Sequence, residues 1–156
     1  MGAMLEVMRG RLGIAEIRGK KHNAVILEMF KDSGRADVVT DEEAWCSAAM
    51  CSAAKKSDMP MPPININLMA KSWLTMGVGI AKTAEAIQAA LDAGHDVVAV
   101  WPRGDPNGPY GHVNIVEEVA DYKRSVICIG ANQSAGKGSP DAITRAKERK
   151  ISEAVG

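Results

Sequence analysis

The chain has 156 residues, of which 46% are hydrophobic, and its 19 Lys and Arg residues balance its 19 Asp and Glu residues. This length suits a single domain, residues 1–156, with a core that needs no metal or disulfide support. The balanced charge argues against a nucleic-acid partner or recruitment to a membrane surface, and three cysteines without a Cys-x-x-Cys pair exclude a disulfide framework and a zinc ribbon.

The N-terminal part of the chain predicts two helices. Apolar residues between positions 5 and 14 follow a loose helical spacing that two glycines weaken. Asn23 is a good N-cap for a second helix at 24–31, which should stop near Gly34. His22, between lysines and this cap, is more typical of solvated surface than of a ligand or base.

A third helix is predicted to have the first cysteine in its first turn. An acidic, turn-prone run leads to Trp45, and an Ala-rich segment without Gly or Pro follows, so Cys46 should lie in the first helical turn. Free N–H groups and the helix dipole stabilise a thiolate there, and the thiolate is the nucleophilic form. A lone cysteine is more often a small buried residue. The functional interpretation therefore depends on partners later in the chain.

The middle of the chain predicts an extended connection and two further helical segments. The proline-rich stretch at 59–63 lacks the N–H donors of a helix or central strand. Residues 68–76 present one apolar helical face. Residues 83–94 start with a capping-type Thr83 and end with Gly94, which is typical of a short helix.

The remaining sequence predicts strands. Apolar, β-branched runs occur at 96–101, 112–119 and 125–130, the last two joined by a tight connection through 121–124, and 143–151 could supply a polar edge strand. Short connections favour antiparallel neighbours. Helices followed by such a meander indicate an α+β domain, with N-terminal helices packed on a small antiparallel sheet.

Two polar residues near strand ends could complete a catalytic set with Cys46. His112 opens one strand and Asn132 follows the end of the next, so both could project near one edge of the sheet. In such a set the cysteine attacks an acyl carbon, the histidine moves the proton, and the asparagine orients the imidazole. A shift of the strand register by one residue would place Gln133 instead of Asn132 beside the imidazole. Gln133 is therefore the alternative third member.

These residues occur within a series of short motifs. In chain order they are Gly19-x-x-His22-Asn23, Asp41-x-x-x-Trp45-Cys46-Ser47-Ala48, Lys71-Ser72-Trp73-Leu74, Asp96-Val97-Val98, Gly111-His112-Val113 and Gly130-Ala131-Asn132-Gln133-Ser134. From about residue 10 to its end, the chain resembles the small phage-type lysins of the NlpC/CHAP cysteine peptidase superfamily. The resemblance implies a papain-like core and hydrolysis of an amide bond in bacterial peptidoglycan, with Cys46, His112 and Asn132 as the catalytic residues.

The resemblance also carries expectations about partners and location. It implies a monomer that binds peptidoglycan, needs no cofactor or metal, and does not insert into a membrane. The chain lacks a signal-peptide pattern, so we expect it to accumulate in the cytoplasm and to reach the cell wall through a holin or a delivery system. Either an amidase or an endopeptidase, and either a phage lysin or an injected toxin, fits the sequence.

The chain departs from the family pattern at several positions. Asn114 stands where the family tends to have glycine, Ala131 precedes Asn132 in the turn, and His95 precedes Asp96 where glycine is usual. These differences affect the expected substrate more than the expected mechanism.

The sequence offers three alternatives to a hydrolase. A P-loop fails because Lys137 is followed by Gly138 rather than Ser or Thr. A zinc site fails because Cys46 and Cys51 would point about 140° apart on a helix. A catalytically inactive relative, acting as a binding or virion structural module, needs no thiolate and remains the alternative function.

Overall fold

The computed structural model describes residues 1–120, 124–134, 136–146 and 148–156. The tight connection predicted at 121–124 lies outside these residues except for Arg124. The described residues form an α+β domain in which helices precede an antiparallel sheet, as the sequence predicts.

Among the described residues, four α-helices and two short 3₁₀ helices make up the helical part. They are α1 (Ala3–Arg9), α2 (Ala24–Asp32), α3 (Cys46–Lys56), α4 (Ala84–Asp92) and the 3₁₀ helices Ala70–Thr75 and Ile151–Glu153. The side chain of Asn23 accepts a hydrogen bond from the Val25 N–H, and that of Thr83 accepts one from the Ala86 N–H. These two predicted caps are confirmed, because they depend only on local sequence.

Helix α1 ends earlier than predicted, at Arg9. Beyond it the chain turns and pairs with a strand: the Gly13 N–H donates to the Ile143 carbonyl, and the Ile143 N–H donates to the Ile14 carbonyl. The residues after Gly10 therefore extend the sheet instead of the helix.

The sheet contains β1 (Val98–Pro102), β2 (Gly111–Val119), β3 (Ser125–Ser134), β4 (Asp141–Arg145) and β5 (Arg149–Lys150). Its order is β1-β2-β3-β4, all antiparallel, and β5 also pairs with β3. The segment 143–151, which was predicted as one edge strand, instead contains the end of β4, the whole of β5 and the first residue of a 3₁₀ helix. At the β1 edge, the Val155 N–H donates to the Val100 carbonyl at 2.7 Å, so the C-terminal residues cover that edge.

Two apolar clusters cover the two faces of the sheet. The first face, with Val113 and Ile115, packs against α1, α2 and α3, and the second face, with Trp101 and Val116, packs against α4. Residues 46–54 of α3 are all buried, and many of them are alanines that allow close packing of the surrounding elements. The N-terminus of α3 is thereby fixed against the first face, near the start of β2.

Candidate functional site

Cys46 is the first residue of α3, as predicted, but its thiol is largely enclosed. The residue is 6% exposed, and within the described residues no side chain caps this helix end. Burial opposes ionisation of the thiol, and the backbone N–H groups of Val113 and Ser47 favour the ionised form only in part. The net result is a raised pKa of the Cys46 thiol.

His112 is held by a residue on the neighbouring strand. Its Nε2 lies 3.0 Å from Gln133 Oε1, while Gln133 Nε2 donates to the Gly130 carbonyl and to the Thr144 carbonyl and hydroxyl at 3.0–3.1 Å. Since the amide oxygen of Gln133 faces the imidazole, His112 Nε2 carries the hydrogen and Nδ1 has the free lone pair. His112 Nδ1 is buried and has no hydrogen-bond partner among the described residues.

Asn132 is turned away from this pair. Its backbone has a φ of 57°, within an irregularity of β3 between Gly130 and Gln133. Its Nδ2 donates to Glu16 Oε1 and to Asp141 Oδ2, both at 3.1 Å. Of the two third members that the sequence offered, the structure brings Gln133 to the imidazole, because the irregular backbone at Asn132 shifts the side-chain alternation of the strand.

The Cys46 thiol and the His112 imidazole both lie near the start of β2, but on different faces of the sheet. The Cys46 thiol meets the N–H of Val113, whose side chain belongs to the first face. His112 pairs with Trp101, which belongs to the second face. Among the described residues, no hydrogen bond joins Cys46 and His112. The last β2–β3 pair at this end is Asn114 with Gly130, so both groups lie where the two strands separate.

Burial keeps the imidazole uncharged. It lowers the pKa of His112 to about 4, and the bond to Gln133 opposes this shift only in part. At neutral pH the site therefore holds a neutral imidazole and a neutral thiol.

Two residues of the site were not found by sequence reasoning. Asn114 Nδ2 donates to Gln133 Oε1 at 3.1 Å, and Glu16 Oε1 accepts from Trp45 Nε1 at 2.8 Å. The only sequence signal for Asn114 was that it stands where the resembled family tends to have glycine. Nothing in the local pattern around Glu16 pointed to a partner 29 residues away.

His22 is also bonded, in contrast to the solvated residue expected from its position. Its Nδ1 lies 2.9 Å from Oδ1 of Asp41, a fully buried carboxylate that also accepts from the N–H groups of Ile17 and Asn23. These bonds outweigh burial and lower the pKa of Asp41. Asp41 thus ties the loop before α2 to the segment before α3.

A cavity of about 490 Å³ lies elsewhere, between the second face and the segment 73–82. Its wall is mainly apolar and includes Trp101, Val116 and Ile151; Cys46, His112 and Gln133 are not among its described lining residues. In the described part of the chain, no group of three His, Cys, Asp or Glu side chains could hold a metal ion. No helix described is both long and apolar enough to cross a membrane.

Comparison with protein-family models, curated proteins and solved structures gives no significant match.

Proposed function

We propose that the protein is a cysteine hydrolase that cleaves an amide bond of the peptidoglycan stem peptide, with Cys46 as nucleophile, His112 as base and Gln133 as the residue that orients the imidazole. One observation carries the proposal. Gln133 fixes Nε2 of His112 and leaves Nδ1 free, and the N–H group of the next residue on β2, Val113, favours the ionised form of the Cys46 thiol.

The arrangement suits acyl transfer through a thioester. The Cys46 thiol gives its proton to His112 Nδ1 while Sγ bonds to the carbonyl carbon. The C–N bond then breaks, and the imidazolium returns the proton to the leaving amine. Water, deprotonated by the same imidazole, hydrolyses the thioester and regenerates the thiol, so no further reactant is required.

The proton transfer requires Nδ1 and Sγ to meet. Catalytic hydrogen bonds are often long or misaligned without substrate and tighten in the complex. We propose that substrate binding moves the first residues of β2, which pair with β1 but not with β3, so that the imidazole approaches the thiol. The pairing of β2 with β3 stops at Asn114, so this end of β2 is paired on one side, with β1.

The substrate class rests on the resemblance of the Trp45-Cys46-Ser47 and Gly111-His112-Val113 motifs to those of phage-type lysins. Amidase action at the sugar–peptide junction and endopeptidase action within the stem use the same side chains. In this proposal the protein reaches its substrate through a holin or a delivery system.

The test is digestion of purified sacculi, with the released fragments identified by mass spectrometry. We expect new amine and carboxyl ends at one type of amide bond for the parent, and none for Cys46→Ala. Cys51→Ala is the matched control, since Cys51 is a buried thiol on the same helix and should leave the cleavage intact. Cleavage by a folded Cys46→Ala variant would refute the proposal.

The second candidate function is a binding or virion structural module that keeps the fold without catalysis. It is favoured by the raised pKa of the Cys46 thiol and by the lowered pKa of His112, since neither shift promotes an ion pair. Iodoacetamide labelling near pH 6 separates the two candidates. Burial raises the pKa of Cys51 and of Cys128 to about 12, so an activated Cys46 should react much faster than both. Equally slow labelling of all three cysteines favours the binding module.

A further inference from the structure

Glu16 lies between the two elements that carry the proposed nucleophile and its orienting residue. Its backbone N–H donates to the Asp141 carbonyl at 2.9 Å, which attaches residue 16 to the edge of β4. Its Oε1 accepts from Trp45 Nε1 at 2.8 Å and from Asn132 Nδ2 at 3.1 Å. One carboxylate oxygen thus joins the residue before Cys46 to the residue before Gln133.

Trp45 depends on this acceptor, whereas Asn132 has a second acceptor in Asp141. Trp45 is fully buried, so its indole N–H has no access to water if Glu16 is lost. Asn132 has a left-handed backbone, a conformation that persists only where neighbouring contacts enforce it. The carboxylate supplies an acceptor to each of them.

The surroundings of Glu16 make its ionised form less favourable than it is in water. Burial and the neighbouring Asp141 and Asp41 carboxylates raise the pKa of Glu16, and the Trp45 bond offsets this only in part.

We propose that Glu16 is a positioning residue, which sets the start of α3 against the irregular part of β3 and so fixes Cys46 relative to the His112–Gln133 pair. Its expected effect on kcat rests on the proposed function. Its geometric consequence, the restraint of Cys46, stands without that function.

The kinetic test compares Glu16→Ala with Glu16→Gln. Displacement of reacting groups by about 1 Å costs roughly a hundredfold in rate, so Glu16→Ala should lower kcat by about ten- to a hundredfold with little change in KM. Glu16→Gln keeps an oxygen that accepts both bonds and should recover most of the rate. Glu28→Ala, an exposed glutamate on α2, is the matched control and should equal the parent.

Partner variants show whether one oxygen serves both bonds. Trp45→Phe and Asn132→Ala should each lower kcat. When either change is combined with Glu16→Ala, the loss in kcat should be smaller than the two single losses together. Full additivity would show that the two bonds act independently and would overturn the shared role.

Labelling by iodoacetamide tests the geometry without any enzymatic activity. In Glu16→Ala we expect Cys46 to react several times faster than in the parent, with Cys51 and Cys128 unchanged. Faster labelling of all three cysteines, or a Glu16→Gln variant as altered as Glu16→Ala, would mean general destabilisation and would overturn the proposal. The proposal would also be overturned if Glu16→Ala had the same labelling rate at Cys46 and the same kcat as the parent. If Cys46→Ala still cleaves sacculi, the proposed function fails, while the labelling result still decides the role of Glu16.

Discussion

Gln133 uses every hydrogen-bonding atom of its side chain. Its oxygen accepts from His112 and Asn114, and its nitrogen has three acceptors, on Gly130 and Thr144. An amide so fully bonded cannot exchange its oxygen and nitrogen without breaking several bonds at once. The imidazole tautomer is therefore determined by the backbone of β3 and β4 as much as by Gln133.

These hydrogen bonds predict different losses of catalytic rate for three alanine variants. Positioned proton transfer supplies roughly a hundred- to ten-thousand-fold in rate, so His112→Ala should lose most of the activity on sacculi. Gln133→Ala should lose less, and the loss should appear in kcat rather than KM, because the amide orients the ring without donating its proton. Asn132→Ala, which does not contact the imidazole, should be milder than Gln133→Ala. Initial rates at one pH measure all three.

The reverse order would contradict the assignment. If Asn132→Ala is crippled while Gln133→Ala equals the parent, Asn132 holds the ring during the reaction. If His112→Ala retains its activity, the base lies elsewhere.

At the scale of elements, β2 and β3 approach closely because Gly130 has no side chain. A Cβ atom built on Gly130 would lie 2.8 Å from Cγ and Nδ2 of Asn114, its partner across the strands. Asn114 therefore occupies the volume above Gly130 and reaches Gln133 from there. Asn114 and Gly130 are a matched pair, and this is the physical context of an asparagine at a position where the resembled family tends to have glycine.

Gly130→Ala should therefore destabilise the protein. Overpacking in a core costs about 1–3 kcal/mol of the free energy of unfolding, which chemical denaturation can measure. Adding Asn114→Ala removes the clashing atoms, so the double variant should lose less than the sum of the single changes. Gly79→Ala is the control, since a Cβ there meets open space, and it should change stability by less than about 0.5 kcal/mol. Equal losses for Gly130→Ala and Gly79→Ala would show that β2 and β3 have room to separate.

Local sequence was sufficient to predict some elements of the fold and insufficient to predict others. The caps Asn23 and Thr83, and the place of Cys46 in the first turn of α3, depend on neighbours in sequence and were predicted. The pairing of Gly13 with β4 and of Val155 with β1 depends on partners more than 50 residues away in the chain. Register and irregularities of β3 are of the same kind, which is why the sequence left Asn132 and Gln133 as alternatives.

For the whole molecule, several buried groups link stability to pH in different ranges. Hydrogen bonds and ion pairs lower the pKa of Asp32, Asp41 and Glu117, so their stabilisation is lost only in strong acid, as pH falls through their lowered values. Glu16 acts in the opposite sense, because its raised pKa makes the folded state bind a proton more readily than the unfolded chain.

Protonation of His112 affects the free energy of unfolding at higher pH than protonation of these three carboxylates does. Its pKa is lowered from 6.5 to about 4, so between these values the unfolded chain binds a proton that the folded protein does not. The free energy of unfolding should therefore fall as pH drops from 6.5 to 4, by on the order of 3 kcal/mol from this group. Denaturation of the parent and of His112→Gln across this range isolates the effect, because Glu16 and the other carboxylates are present in both. The parent should lose stability more steeply than the variant, and parallel curves would mean that the imidazole becomes protonated in the folded protein near its ordinary pKa.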